Sequence, residues 1–193
     1  MRPLKHKRAL LLIDFFNPSG FAEVPGILPA LAKAAGNAAS LKARMRASRV
    51  PVIYANDNFG AWTTEFPALV ETCARMPGRA GAVARMLRPE QGDRSLLKPR
   101  HSAFYGTPLE FMLEELDVQS LILCGTATDA CITMTAHDAH MRKFGLWVPR
   151  DCVAAKSAAI TRSALAALAR VTSASTEAAL VGMTVGGSAS RKQ

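Results

Sequence analysis

The stretch Leu121-Ile122-Leu123-Cys124-Gly125-Thr126-Ala127-Thr128-Asp129-Ala130-Cys131 reads as an apolar strand that breaks at a glycine and delivers one cysteine to the start of a helix. An unbroken apolar run of this length suits a strand buried on both faces, as in a parallel sheet covered by helices. A thiol at a helix N-terminus sits in the positive end of the helix dipole, which favours the thiolate, the form that attacks carbonyls. Cys131 is therefore a candidate nucleophile, set against the commoner fate of an unpaired cysteine, packing as a small hydrophobe. Two further residues strengthen the catalytic reading. Asp14 closes the apolar run Ala9-Leu10-Leu11-Leu12-Ile13, and Lys98 follows Ser95-Leu96-Leu97. In an open parallel sheet the carboxyl ends of neighbouring strands converge on one crevice, so Asp14, Lys98 and Cys131 can share a site.

The remainder of the chain alternates strand and helix. A strand over 9–13 is followed by the turn-rich Asn17-Pro18-Ser19-Gly20 and an Ala/Leu/Lys/Arg helix from about Pro29 to Ser48. Val50 to Ala55 reads as the second strand, with Pro51 near its start, and delivers Asn56-Asp57-Asn58 to the same end as Asp14. Helical character returns over 67–73 and 81–87, ahead of the strand that bears Lys98. Thr107-Pro108-Leu109-Glu110 has the pattern of a helix start, with Thr107 as N-cap and Glu110 reaching back, and predicts a helix to about Leu116. Strand 120–123, a helix from Cys131, strand 146–148, helix 157–170 and a weak strand near Val171 complete the series. Repeated β-helix-β units predict a three-layer α/β/α, Rossmann-like fold around a mainly parallel sheet.

Composition sets the outer bounds. With 193 residues, 49% of them hydrophobic, the sequence predicts a single domain over 1–193, with a basic N-terminal extension over 1–8 and a frayed tail over 186–193. It holds no unbroken apolar run of the roughly 18 residues that a membrane span needs, and its basic start lacks a signal-peptide plan. Cys73, Cys124, Cys131 and Cys152 show neither CxxC spacing nor the density of a disulfide scaffold, which points to reduced thiols and a cytoplasmic location. The formal charge of +9 invites nucleic acid as a partner. The basic residues lack interleaved aromatics to stack on bases, so neither nucleic acid nor membrane is expected as a partner.

Taken together, Asp14, the segment Leu97-Lys98-Pro99-Arg100-His101-Ser102-Ala103-Phe104, and Gly125 to Cys131 followed by Thr135, Asp138 and Ala139 resemble the isochorismatase-like cysteine hydrolases. That superfamily includes nicotinamidases, N-carbamoylsarcosine amidases, ureidoacrylate and biuret hydrolases and isochorismatases. The resemblance spans roughly residues 8–175, and the three motifs in order are specific where any one alone is weak. It implies a sheet of about six parallel strands. It also implies that Asp14 is the general base, that Lys98 stabilises the thiolate and the developing charge, and that Cys131 attacks the substrate carbonyl. By the same resemblance the backbone amides of Ala127 and Cys131 form the oxyanion hole, and the Thr126–Ala127 peptide is cis. A homo-oligomer, dimer or tetramer, is implied as well.

Departures from the family pattern narrow the expectation. Nicotinamidases carry an Asp-x-His element that, with a further histidine, binds a metal; the corresponding strand end here is Asn56-Asp57-Asn58. His6, His101, His137 and His140 offer no such cluster, so neither metal nor other cofactor is expected. The presence of Cys131 favours thiol-dependent hydrolysis of a small amide, ureido or carbamoyl compound. Phe15, Asn58, Trp62 and Tyr105 are candidate pocket residues; loop tying for Asn58 and core or interface packing for the aromatics are the competing readings. His101 is assigned an ordinary loop hydrogen bond, with contact to substrate as the competing reading, Asp129 a cap on the helix of Cys131, and Asp138 an anchor for a neighbouring loop. Cys73, Cys124 and Cys152 read as structural. Two other classes stand beside the enzyme: a non-catalytic binding protein on the same fold, and a thiol redox sensor, which would need a resolving cysteine near Cys131.

Overall fold

The computed structural model describes residues 8–24 and 26–179, so the basic segment 1–7 and the tail 186–193 lie outside the described residues. Six strands, β1 (Arg8–Ile13), β2 (Val52–Asp57), β3 (Arg94–Lys98), β4 (Ser120–Thr126), β5 (Gly145–Trp147) and β6 (Val153–Ala154), form one parallel sheet. Its order is β3-β2-β1-β4-β5, with β6 paired to the carboxyl end of β4 beyond β5. Strand order therefore reverses between β1 and β4, and a crevice opens outside their carboxyl ends.

The helices are α1 (Ile27–Ala47), α2 (Phe66–Ala74), α3 (Gly78–Met86), α4 (Leu109–Glu115), α5 (Thr133–Met141) and α6 (Ala158–Thr172). Alternation along the strands divides the core between them. Leu10, Leu12, Val52, Tyr54, Ile122 and Cys124 pack with α1, α2 and α3, whereas Ala9, Leu11, Ile13, Ile53, Ala55, Leu121 and Leu123 pack with α4, α5 and α6. This is the three-layer arrangement expected from the sequence. Helix α1 buries Ile27, Leu31, Ala34, Ala35, Ala38, Leu41 and Met45, the three- and four-residue spacing of one helix face.

Three local expectations change. The helix after Thr107 begins at Leu109; Thr107 Oγ1 accepts the Leu109 amide at 3.2 Å and donates to the Ala103 carbonyl at 2.5 Å. Glu110 turns outward to pair with Arg142 at 2.9 Å instead of closing a capping box. Val171 lies inside α6, because the Ala/Leu-rich run carries the helix to Thr172, where Ser173 at φ 56° ends it; the extended pairing falls later, between Ser175 and Trp147. Strand β6 has two residues, too few to show any alternation in sequence.

Candidate active site

Asp14 is the first residue past β1. Its amide still donates to the Ala55 carbonyl at 3.1 Å, and its φ of 53° turns the chain out of the sheet. One carboxylate oxygen accepts the Asp57 amide at 2.7 Å, so the end of β2 fixes the orientation of the side chain. Lys98 is the last residue of β3, on the far side of β2 from β1. Its fully buried side chain crosses the end of β2 to place Nζ 2.8 Å from the other oxygen of Asp14 and 3.6 Å from Asp57 Oδ2. The same ammonium donates to Cys131 Sγ at 3.5 Å. Residues from three strand ends and one helical turn thus meet around one sulfur, as the crevice rule anticipates.

Strand β4 brings Cys131 there through an abrupt bend. Gly125 stands beside Ile13 of β1, and an added Cβ would lie 1.9 Å from the Ile13 carbonyl oxygen; its φ of 137° also disfavours a side chain. The Thr126–Ala127 peptide is cis. The Ala127 carbonyl then accepts the amides of Ala130 at 3.1 Å and Ile132 at 3.2 Å, which flank Cys131. Cys131 lies in a single π-helical turn, Thr128–Ile132, that runs into α5.

Electrostatics couples the three groups. Burial raises the Asp14 carboxyl above its ordinary value, and Lys98, Cys131 and the Asp57 amide offset this only in part. Burial alone would lower Lys98, yet Asp14 foremost, with Cys131 and Asp57, holds its ammonium more tightly than usual. Burial and the neighbouring Asp14 push the Cys131 thiol up to about 12 against the pull of Lys98. Desolvation and the facing carboxylate thus work against the pull that a helix N-terminus exerts on the thiol proton.

Cys131 opens onto a cavity of about 250 Å³ whose walls include Phe16, Phe21, Glu23, Asp57, Phe59, His101 and Ala127. The four candidate pocket residues lie elsewhere. Phe15 is buried in the core on the α1 side, and it is Phe16, the next residue after the turn at Asp14, that reaches the cavity. Asn58 accepts the Gly60 amide at 2.9 Å and ties its own loop. Trp62 is 80% exposed and Tyr105 64% exposed, on loops that leave their rings in solvent. Asn56 likewise holds backbone, accepting from the Phe16 amide at 3.1 Å and donating to the Phe16 carbonyl at 2.8 Å.

His101 departs from its expected loop role: its Nδ1 lies 3.6 Å from Cys131 Sγ. Its loop is pinned to α5 by the Ala103 amide, which donates to Thr135 Oγ1 at 3.0 Å. Asp129 makes no side-chain cap, and Asp138 pairs with Arg142 at 3.1 Å. All four cysteines are free. Cys124 and Cys152 adjoin each other on the α1 side of the sheet, while Cys131 belongs to the α4–α6 side. The residue roles missed in sequence, those of Phe16, Glu23 and Asp57, come from chain segments whose side chains meet only after folding. Among the described residues no group of three His, Cys, Asp or Glu side chains is placed to hold a metal ion, and no helix is long and apolar enough to cross a membrane. A second cavity, about 520 Å³ between α1 and α6, includes none of Asp14, Lys98 and Cys131.

A doubly wound parallel sheet with Asp, Lys and Cys at adjoining strand ends is the build of a small-molecule hydrolase of the α/β class. The isochorismatase domain model matches residues 8–179, and the chain belongs to that family. It is 34% identical over 153 residues to an uncharacterised isochorismatase family protein, YaaI of Bacillus subtilis, covering 79% of this chain and 83% of the relative. It is 30% identical over 159 residues to maleamate amidohydrolase of Pseudomonas putida, covering 76% and 72%. The N-carbamoylsarcosine amidase of Thermoplasma acidophilum superposes with a TM-score of 0.69 at 27% identity, covering 90% of this chain and 96% of that one. An isochorismatase family protein of Desulfovibrio vulgaris shares the fold with a TM-score of 0.75 at 23% identity.

Proposed function

We propose that this protein is a cysteine-dependent hydrolase of a small amide, ureido or carbamoyl compound, working through a thioester and releasing ammonia or an amine. The observation that carries this reading is the convergence of Asp14, Lys98 and Cys131 on one another beside a cavity that Asp14 and Cys131 line, with Nζ 2.8 Å from the carboxylate and 3.5 Å from the sulfur. Relatives named as amidohydrolases support the reaction class.

In the proposed sequence Asp14 takes the thiol proton as Sγ attacks the substrate carbonyl carbon. The carbonyl electrons move to oxygen, where the amides of Ala127 and Cys131 receive the charge. Collapse of this intermediate breaks the C–N bond, and the proton on Asp14 passes to the departing nitrogen. Water, losing a proton to Asp14, then attacks the thioester; the acid leaves and the proton returns to sulfur. Lys98 stays charged throughout and keeps the carboxylate and the transient thiolate tolerable in a buried place. We also assign a homo-oligomeric state, in which the exposed Trp62 would be covered by another copy; light scattering tests it.

The test of the mechanism is ammonia or amine release from a panel of amides, ureido acids and carbamoyl compounds, with Cys131→Ala as control. Release is expected from the native protein, together with an acyl adduct on Cys131 visible by mass spectrometry after rapid acid quench. Turnover retained in Cys131→Ala would sink the mechanism.

A further inference from the structure

The cavity beside Cys131 has a charge that runs against the rest of the protein. The chain is formally +9, yet three carboxylates, Asp14, Glu23 and Asp57, line this one space, and among its described lining residues there is no lysine or arginine. Lys98 lies against Asp14 and Asp57, and one ammonium offsets only one of the three negative charges. Glu23 is held at the cavity wall by hydrogen bonds from Asn17 Nδ2 and Ser19 Oγ. Burial would raise its carboxyl, but hydrogen bonds from Ser19, its own backbone amide and Asn17 keep it below the ordinary value, so it is ionised at neutral pH. Three acceptor positions of the carboxylate are used in this way, and a carboxylate has about four.

The other walls are aromatic and aliphatic. Phe16, Phe21 and Phe59 line the same space, with Val24 and Ile27 beside them. Carboxylates set among aromatic rings hold organic cations, through ionic attraction and through the negative faces of the rings. Phe16 and Phe21 are buried whereas Glu23 and Phe59 are exposed, so the buried rings supply the low-dielectric part of the wall that focuses the field of the carboxylates. A substrate bearing a carboxylate, as maleamate does for the Pseudomonas putida relative, would meet three carboxylates here and, among the described lining residues, no lysine or arginine, His101 being the one basic side chain.

We propose that the cavity around Cys131 selects for organic cations, and hence that the substrate is a small amide, ureido or carbamoyl compound carrying an ammonium or guanidinium group. The substrate class rests on the hydrolase reading above; the charge selectivity of the cavity does not. Glu23 and Asp57 recognise the cation, and the phenylalanine rings wall it in.

The selectivity is measured without turnover, by the rates at which methanethiosulfonates of different charge modify Cys131 in the full-length protein. Each transfers its thioalkyl group to the cysteine sulfur, forming a mixed disulfide and releasing methanesulfinate. The probes are the trimethylammonioethyl, methyl and sulfonatoethyl reagents. Mass spectrometry locates the adduct, and each rate is divided by that reagent's rate with 2-mercaptoethanol. The cationic reagent is expected to exceed the anionic one by about tenfold or more, and raising the salt to 0.5 M to compress the ratio, since added salt screens such fields. Glu23→Gln is expected to reduce the ratio about threefold. A ratio of one or below, or a ratio unmoved by both salt and Glu23→Gln, overturns the proposal. Hydrolysis of β-alaninamide, propionamide and succinamate then separates the two readings. An order of kcat/KM of cation above neutral above anion supports both, whereas preference for succinamate keeps the hydrolase and overturns the cation selectivity for substrate. Charge-selective modification with no amide turned over supports the selective cavity and counts against the hydrolase.

Discussion

The proposed mechanism places two demands on Asp14 that conflict in water and agree in this site: it must be basic enough to take a thiol proton and must remain beside a buried ammonium. Its raised carboxyl pKa meets the first, and the 2.8 Å contact with Lys98 meets the second. On the proposed mechanism the working form of Asp14 is the carboxylate, so activity is expected above its folded pKa and lost as pH falls through it. The acid limb of kcat/KM is accordingly expected above the ordinary 3.8, measured as amine release across pH. Asp14→Asn keeps the shape and removes the base; turnover should drop by about 100- to 10,000-fold, and a loss below tenfold would remove Asp14 from the base role. Asp14 and Lys98 were legible in sequence because each closes a short apolar run, and Cys131 because it follows the glycine that breaks another. The pocket residues were not. Phe15 and Phe16 differ by one position, and the φ of 53° at Asp14, which no composition rule announces, governs how the chain leaves the sheet before them.

At the scale of elements, the approach of β1 and β4 decides whether base and nucleophile share a site. Ile13 and Gly125 are paired in register, and the glycine leaves room for the Ile13 carbonyl at the point where β4 bends toward Cys131. Gly125→Ala forces a methyl group against backbone and is expected to destabilise the fold by about 1–3 kcal/mol or more, read as a lower urea midpoint. An unchanged midpoint would mean that the two strands can part at no cost. Most strands and helices were readable from periodicity, with ends displaced by a few residues. The exceptions are local: β6 is too short to carry a pattern, and the helix begins at Leu109 with Thr107 just ahead of it, its hydroxyl accepting the Leu109 amide while donating to the Ala103 carbonyl.

Across the whole molecule, burial of thiols links stability to alkaline pH. Cys73 is pushed up to about 11 and Cys131 to about 12, chiefly by burial, from a model-peptide value of 9.0. A folded pKa above the unfolded one gives stability that is whole below pH 9 and is lost as pH rises toward 11 to 12. The urea midpoint should therefore fall between pH 8 and pH 10.5, and Cys131→Ala should show a smaller fall; equal slopes would mean that this thiol ionises as easily folded as unfolded. The sequence by itself determined the layered α/β architecture and the Asp14, Lys98 and Cys131 set, because apolar runs, their breaks and the residues that follow them are local signals. Only the tertiary structure decided that burial and Asp14 raise the Cys131 thiol, that His101 lies against it, and that Glu23 and Asp57 join three phenylalanines around one cavity. Desolvation and charge coupling depend on which distant side chains are brought within a few ångströms, and spacing along a chain does not encode that distance.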